Sequence, residues 1–340
     1  TGTNNTLIGG LAGDAITTAT NNTAVGLNSL TTNTTGGQNV AVGDNALAAN
    51  TTAAYNTALG TSTLQLNTTG TRNVATGAFS LTANTTGDGN VAMGYQALKS
   101  NTTASNNTAI GDQALEFNTT GIDNNAFGQG ALAATTTGTN NVAMGRLAGT
   151  TNTTGANNTA IGHVALRMNT TGGSNTAVGA LSLDACTTGN SNVAVGINSL
   201  TSTQTGSNSV AVGNGALSSQ LGSGNMFNVA IGPDAGAAIT TGTQNTLIGS
   251  LAGDAITTGN NNTALGYTSL TSNTTGEDNI AIGILAIADN TTGSNNVGIG
   301  REALEKNTTA SNNTGIGHQA LGTNTTGTNN SSLGFSSLVA

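Results

Sequence analysis

Few side chains in this sequence are of the kinds that carry out chemistry, and none of them recurs in a catalytic pattern. The two histidines, His163 and His318, lie nine repeats apart, so we do not expect a metal or catalytic pair. The carboxylates are scattered, and none falls into the Gly-Gly-x-Gly-x-Asp pattern of calcium-binding rolls. No Ser-His-Asp or Cys-His arrangement recurs. We therefore predict no enzymatic activity, no cofactor and no bound metal.

Two further features could carry a modification or a ligand. Cys186 is the only cysteine and cannot form an internal disulfide; it occupies a position where most repeats have Asn, which favours a tolerated substitution over a reactive thiol. Asn-Thr-Thr matches the glycosylation sequon many times, but the plainer interpretation is that these residues make turn and axial hydrogen bonds. Threonine columns could also form an ice- or sugar-binding face. Adjacent threonines point to opposite sides, however, which disfavours one flat hydroxyl array.

A short motif ending in glycine organises the whole chain. It reads Asn-Val-Ala-Val-Gly at 39–43 and recurs about twenty times, every 17 residues except for one 19-residue step. A strict period of this kind is typical of a repeat architecture. The motif glycines are at positions 9, 26, 43, 60, 77, 94, 111, 128, 145, 162, 179, 196, 213, 232, 249, 266, 283, 300, 317 and 334.

The composition suits a thin repeat better than a globular core. The 340 residues include 50 glycines, one proline and only 6% charged residues, and aromatic residues make up 2%. The net charge of −8 without a basic stripe argues against nucleic acid as a partner. No apolar run is long enough to span a membrane. Disorder is disfavoured because disordered chains have high net charge and lack a fixed apolar period.

Each coil is numbered here from its motif glycine as position 0. Positions −4 to −1 are rich in β-branched residues and bounded by Gly and Asn, which predicts a short strand. Both sides of that strand carry apolar residues, which indicates burial on both faces. One covering layer is the rest of the coil, through Leu at +4, and we infer that a partner chain supplies the other. The structural positions are represented by Asn22, Ala24, Val25, Gly26, Leu30, Asn39, Ala41, Val42, Gly43 and Leu47.

Stacked in parallel register, the coils predict an all-β parallel β-solenoid of about 20 coils, forming a single continuous repeat domain over 1–340. The Asn column at −4 would form an amide ladder along the axis. The glycines at 0 and +10 would serve turns that need positive φ or close backbone approach. Four coils have Gly instead of Leu at +4. After Gly13 and Gly253, Ile16 and Ile256 stand in the +7 position and are expected to refill the core. The two-residue insertion, within 218–228, should bulge at a turn without breaking the stack.

The recurring Asn-x-Ala-[Val/Ile]-Gly-x-x-[Ala/Ser]-Leu pattern resembles the head repeats of YadA-like trimeric autotransporter adhesins. With Asn-Thr-Thr-Gly it resembles even more the repeats of phage tail-fibre and related bacterial surface proteins. The resemblance implies a left-handed β-roll in which three chains lie side by side. The chain departs from the adhesin pattern in having 17 rather than about 14 residues per coil.

These observations predict a structural and adhesive fibre segment, a homotrimeric β-roll shaft of a phage tail fibre or bacterial surface appendage. It would be extracellular and part of a longer fibre, with a host-surface receptor or glycan, if any, bound on the variable positions. The alternatives are a self-assembling filament whose subunits stack end to end, and a glycan- or ice-binding solenoid. Neither nucleic acid nor membrane insertion is expected.

Overall fold

The computed structural model describes residues 2–338 and shows an all-β parallel β-solenoid. Within that range there are 22 strands and no helix, and therefore no helix that could cross a membrane. The chain divides into two compact units, Thr1–Thr171 and Gly172–Ala340. Each consists mainly of three-residue strands stacked one coil apart, as the 17-residue period predicts.

The N-terminal unit contains strands β1 to β10, one per coil. Consecutive strands pair in parallel, and each residue pairs with its equivalent 17 positions later, such as Ala24 with Ala41. This register places like residues in columns along the stack. The strands are β1 Thr6–Ile8, β2 Thr23–Val25, β3 Val40–Val42, β4 Thr57–Leu59, β5 Val74–Thr76, β6 Val91–Met93, β7 Thr108–Ile110, β8 Asn125–Phe127, β9 Val142–Met144 and β10 Thr159–Ile161.

The C-terminal unit contains strands β11 to β22 and includes the insertion. Val210 pairs with Val229, a step of 19 residues, so the stack continues through the insertion as expected. The inserted segment adds a short pairing between Gly206–Ser207 and Gly224–Asn225 and buries Met226. The strands are β11 Thr176–Val178, β12 Val193–Val195, β13 Gly206–Ser207, β14 Val210–Val212, β15 Gly224–Asn225, β16 Val229–Ile231, β17 Thr246–Ile248, β18 Thr263–Leu265, β19 Ile280–Ile282, β20 Val297–Ile299, β21 Thr314–Ile316 and β22 Ser331–Leu333.

The core of each coil is one side chain deep. The middle residue of the strand, usually Ala at −2, points inward and packs beside the Leu at +4. Ala41 and Leu47 are both fully buried, for example. Burying one Leu side chain contributes on the order of 1.5–3 kcal/mol, and the small Ala beside it keeps the coil thin. Repetition of this pair, rather than a large core, holds each unit together.

The backbone turns through left-handed residues at three positions of every coil, namely −5, +2 and +4. In the coil of Gly43 these are Gln38, Asn45 and Leu47, with φ of 59°, 56° and 51°. The sequence had predicted positive φ only for glycines. A left-handed Leu is uncommon and costs roughly 1–2 kcal/mol, which its complete burial offsets. The conformation also explains why Gly replaces Leu at +4 in four coils, since Gly13, Gly149, Gly236 and Gly253 have φ of 56–60°.

The glycines at positions 0 and +10 are favoured for different reasons. The motif glycine has positive φ and a close neighbour: Gly43 has φ of 137°, and a Cβ there would lie 2.4 Å from the Gly60 carbonyl oxygen. The glycine at +10 does not adopt positive φ. A Cβ on Gly70 would lie 2.4 Å from the Gly87 carbonyl oxygen, so close approach alone favours Gly there. Natural alanines such as Ala53 show that the stack tolerates a methyl group at +10.

Where Gly stands at +4, other side chains fill the vacated space. A Cβ added to Gly253 would lie 2.8 Å from Ile256 Cδ1 and 2.8 Å from Leu247 Cδ2. Leu247 occupies the −2 position that most coils give to Ala, and it is fully buried along with Ile256. The predicted refilling by Ile at +7 is therefore confirmed here, and a larger residue at −2 completes it.

Candidate functional site

The predicted Asn ladder at −4 is present and uses both the amide group and the backbone. The backbone N–H of Asn39 donates to Asn22 Oδ1 of the preceding coil at 2.9 Å. Its Nδ2 donates to the Ala53 carbonyl of its own coil at 2.8 Å. Each buried amide thus forms one hydrogen bond to a backbone group of a neighbouring coil and one to a backbone group of its own coil. These bonds fix the spacing of neighbouring coils.

A second Asn ladder, at +7, contains the axial hydrogen bonds predicted for the Asn of Asn-Thr-Thr. Asn50 Nδ2 donates to Asn33 Oδ1 of the preceding coil at 3.0 Å and to the Ala53 carbonyl at 3.1 Å. The carbonyl at +10 therefore accepts hydrogen bonds from both the −4 and +7 asparagines of its coil. The recurrence of Asn in Asn-Thr-Thr predicts these turn and axial bonds, but not that both asparagine columns share the carbonyl at +10.

The glycosylation sequon is accounted for by this packing. The Asn residues of Asn-Thr-Thr, such as Asn33 and Asn50, are fully buried. The first Thr is half-buried and its hydroxyl donates to the next coil, as Thr34 Oγ1 does to the Thr51 carbonyl at 3.1 Å. The second Thr, at +9, is exposed in most coils, as at Thr35 and Thr52. The hydrogen-bonding interpretation is confirmed, and the two threonines do not share one face.

Thr135 and Cys186 are two of the seven natural substitutions that interrupt the +7 ladder, and they do so in different ways. Thr135 replaces Asn, and its buried Oγ1 and the Asn118 Oδ1 of the preceding coil are both without a hydrogen-bond partner. Cys186 also occupies this column and is fully buried, with Sγ 3.7 Å from the Gly189 carbonyl oxygen. Burial raises the pKa of the Cys186 thiol to about 11, and the Gly189 hydrogen bond only partly opposes this shift. The thiol is therefore protonated near neutral pH in the folded chain, which disfavours its reaction as a nucleophile.

Each histidine contacts one side chain of an adjacent coil. His163 Nε2 lies 3.3 Å from Arg146 Nη1 in the adjacent coil. The His318 ring stacks on Phe335 with centroids 5.2 Å apart. Between residues 2 and 338, no three His, Cys, Asp or Glu side chains are grouped so that they could hold a metal ion.

Charged side chains near the C-terminal coils pair with one another across the surface. A hydrogen bond from Gln319 lowers the pKa of Glu302, with a smaller contribution from Arg301. Hydrogen bonds to Glu305 and then Asp289 raise the pKa of Lys306, which lies 2.8 Å and 3.1 Å from these carboxylates. Such exposed pairs contribute little to stability.

The outward strand face, defined as positions −3 and −1 of the motif strands, is left partly or fully exposed within the described chain. Its residues are half-buried or exposed, and among those described all are Val, Ile, Leu, Met, Phe or Thr apart from Asn125 and Ser331. No charged residue occurs at any of these positions. The apolar pattern predicts burial on both faces of the strand; within one chain only the inward face is buried. An uncharged, repetitive face of aliphatic, aromatic and threonine side chains fits a contact with another molecule.

The ten structural positions divide among three environments. Asn22, Ala24, Leu30, Asn39, Ala41 and Leu47 are buried inside the coils, Gly26 and Gly43 lie at the turn after each strand, and Val25 and Val42 lie on the outward strand face. The assignment of 1–340 as one continuous domain stays a prediction. Compared with known proteins, the sequence matches no family model and no curated protein. The structure identifies the chain as a parallel β-solenoid repeat protein with coils of about 17 residues.

Proposed function

We propose that the chain is a non-catalytic structural segment of an extracellular fibre, such as a phage tail fibre or a bacterial surface appendage. The observation that carries the proposal is the repeated axial bonding of the coils. Strand pairing, two asparagine ladders and the Thr hydroxyls at +8 each link one coil to the next. Such a stack resists local opening, which suits a stiff spacer or contact surface.

The outward strand face supports self-association as the next level of assembly. Each three-residue strand is about 10 Å wide and each coil adds about 4.8 Å, so ten coils offer roughly 480 Å². The face of either unit alone is therefore more than half of the area that each partner contributes to a standard interface, about 800 Å². With no charge to desolvate, a second copy of the same face is a suitable cover. The resemblance to trimeric adhesin repeats favours three copies.

Light scattering of residues 1–340 tests this proposal. A mass near three chains, lost when charged residues replace Val25 and Val42, supports the trimeric fibre segment. A folded monomer would contradict self-association, and unlimited growth in mass would favour end-to-end filaments. Negative-stain electron microscopy distinguishes those cases by particle length.

The glycan- or ice-binding alternative has less support. The hydroxyls at +8 donate to backbone carbonyls, which leaves only the +9 column of each Thr-Thr pair for an external ligand. An ice-recrystallisation assay and a glycan array on the same sample check it, and activity in either would favour this alternative over the fibre segment.

A further inference from the structure

Asn125 is an anomaly on the outward strand face. It occupies position −3 of β8, where the neighbouring strands place Thr108 and Val142 in the same column. It is the only amide among the outward strand positions of residues 2–338. Unlike the asparagines of the two ladders, it forms no side-chain hydrogen bond to the described part of the chain. Its two donors and its acceptor are therefore open to whatever covers the face.

A covered amide needs a partner, because a buried and unpaired polar group is destabilising. When copies pack in parallel with equal coils at the same level and the symmetry axis runs along the −3 column, Asn125 meets Asn125, and amide can bond amide. A slip of one coil places one Asn125 at the level of Thr108, whose hydroxyl can pair with it, but places the other at the level of Val142, which offers no hydrogen bond. In an antiparallel arrangement, Asn125 meets Asn125 of the other copy only if the two-fold axis passes through the coil that contains Asn125.

We propose that Asn125 sets the register in which copies of this chain pack through the outward strand face. The inference rests on the proposed self-association and adds which coils of the copies lie at the same level. The other strands cannot set the register as sharply, because Val, Ile and Thr recur along both columns and a slipped stack matches nearly as well. A single polar residue in an apolar contact specifies alignment at some cost in stability, as it does in coiled coils.

Moving the amide by one coil tests the proposal. The double variant N125V/V142N keeps the composition but shifts the Asn to β9. Wild-type and isotope-labelled variant chains are refolded together, and native mass spectrometry counts mixed assemblies. We expect mixed assemblies at less than half their statistical proportion. The matched control is T57V/V74T, which exchanges two outward residues of adjacent strands and should mix statistically. Statistical mixing of N125V/V142N with wild type would overturn the proposal.

Charge pairing gives a second measurement that does not depend on that variant. Chains carrying N125D are refolded with chains carrying N125K, T108K or V142K. We expect mixed assemblies with N125K to exceed those with T108K or V142K at least threefold, and this excess to shrink in high salt. Equal mixing would overturn the register assignment. A monomeric wild-type mass, in contrast, would contradict the self-association itself.

Discussion

Ser209 and Gln220 belong to the same coil and hydrogen-bond to each other inside it, with Gln220 Nε2 3.1 Å from Ser209 Oγ. Ser209 is the one departure from Asn in the −4 column, and Gln220 stands in the +7 column where most coils have Asn. The Ser209 side chain is shorter than that of Asn, and the Gln220 side chain is longer than that of Asn by one methylene group. Gln220 Oε1 also accepts a hydrogen bond from Asn228 Nδ2 at 3.0 Å, which links this coil to the next one.

We expect these two substitutions to be energetically coupled. Q220N should lower stability by roughly 1–3 kcal/mol, because the shorter amide leaves buried polar groups unpaired. S209N alone should also destabilise, because the longer Gln220 occupies the space. The double variant S209N/Q220N restores the ordinary coil and should recover most of the loss. Urea denaturation of the four proteins gives the coupling energy, and additive losses would contradict the pairing.

The repeat period was sufficient to predict strands, parallel register and the −4 ladder, because each follows from stacking identical residues. The left-handed conformation of Leu47 and its equivalents could not be predicted, since Leu has no preference for positive φ. It results from closing a 17-residue coil around a core one side chain deep. Val42 was expected in a buried position, but the sequence does not show which chain covers it, and within this chain it remains exposed.

The filled space around Gly253 predicts a strong penalty for restoring the common residue. G253L should destabilise by roughly 1–3 kcal/mol through overpacking against Leu247 and Ile256. Adding L247A and I256N should recover only part of the loss, because Leu247 also fills the space beside Gly236. G149L is the matched control, since Leu132 is the only side chain near its added Cβ. Thermal unfolding followed by circular dichroism measures the stability of each variant, and G253L should lose more than G149L. An equal loss of stability in the two variants would contradict the overpacking argument.

The gap at Thr135 predicts a stabilising change. T135N places an amide where Nδ2 can donate to the unpaired Asn118 Oδ1, as in the coils below. We expect a gain of about 1 kcal/mol, the typical net contribution of a hydrogen bond. T137N, at the exposed +9 position of the same coil, is the control and should leave the unfolding midpoint unchanged. If both variants behave alike, the ladder gap carries no energetic cost.

Thr268 is a β-branched residue in left-handed conformation, with φ of 50° at position +2. Asn tolerates this conformation better and occupies the same position at Asn28, Asn45 and Asn198. T268N should therefore stabilise by up to about 1 kcal/mol. T275N, an exposed threonine without positive φ, should have no effect, and hydrogen exchange of the surrounding amides can localise the gain. An unchanged midpoint in T268N would show that the stack already relieves the strain.

Cys186 predicts a pH dependence of stability in alkaline solution. Its pKa is raised from 9.0 to about 11 in the folded chain, so between these values the unfolded chain has lost the proton and the folded chain retains it. Stability from this group is therefore full below pH 9 and falls as the pH rises toward 11, by up to roughly 2–3 kcal/mol. C186N removes the group while restoring the residue common in this column, so its stability should decline less over that window. Urea midpoints of both proteins at pH 8, 9, 10 and 11 measure the difference. Parallel curves would mean that the thiol ionises equally well in the folded chain, and rapid reaction of the native protein with a thiol reagent at pH 8 would agree with that result.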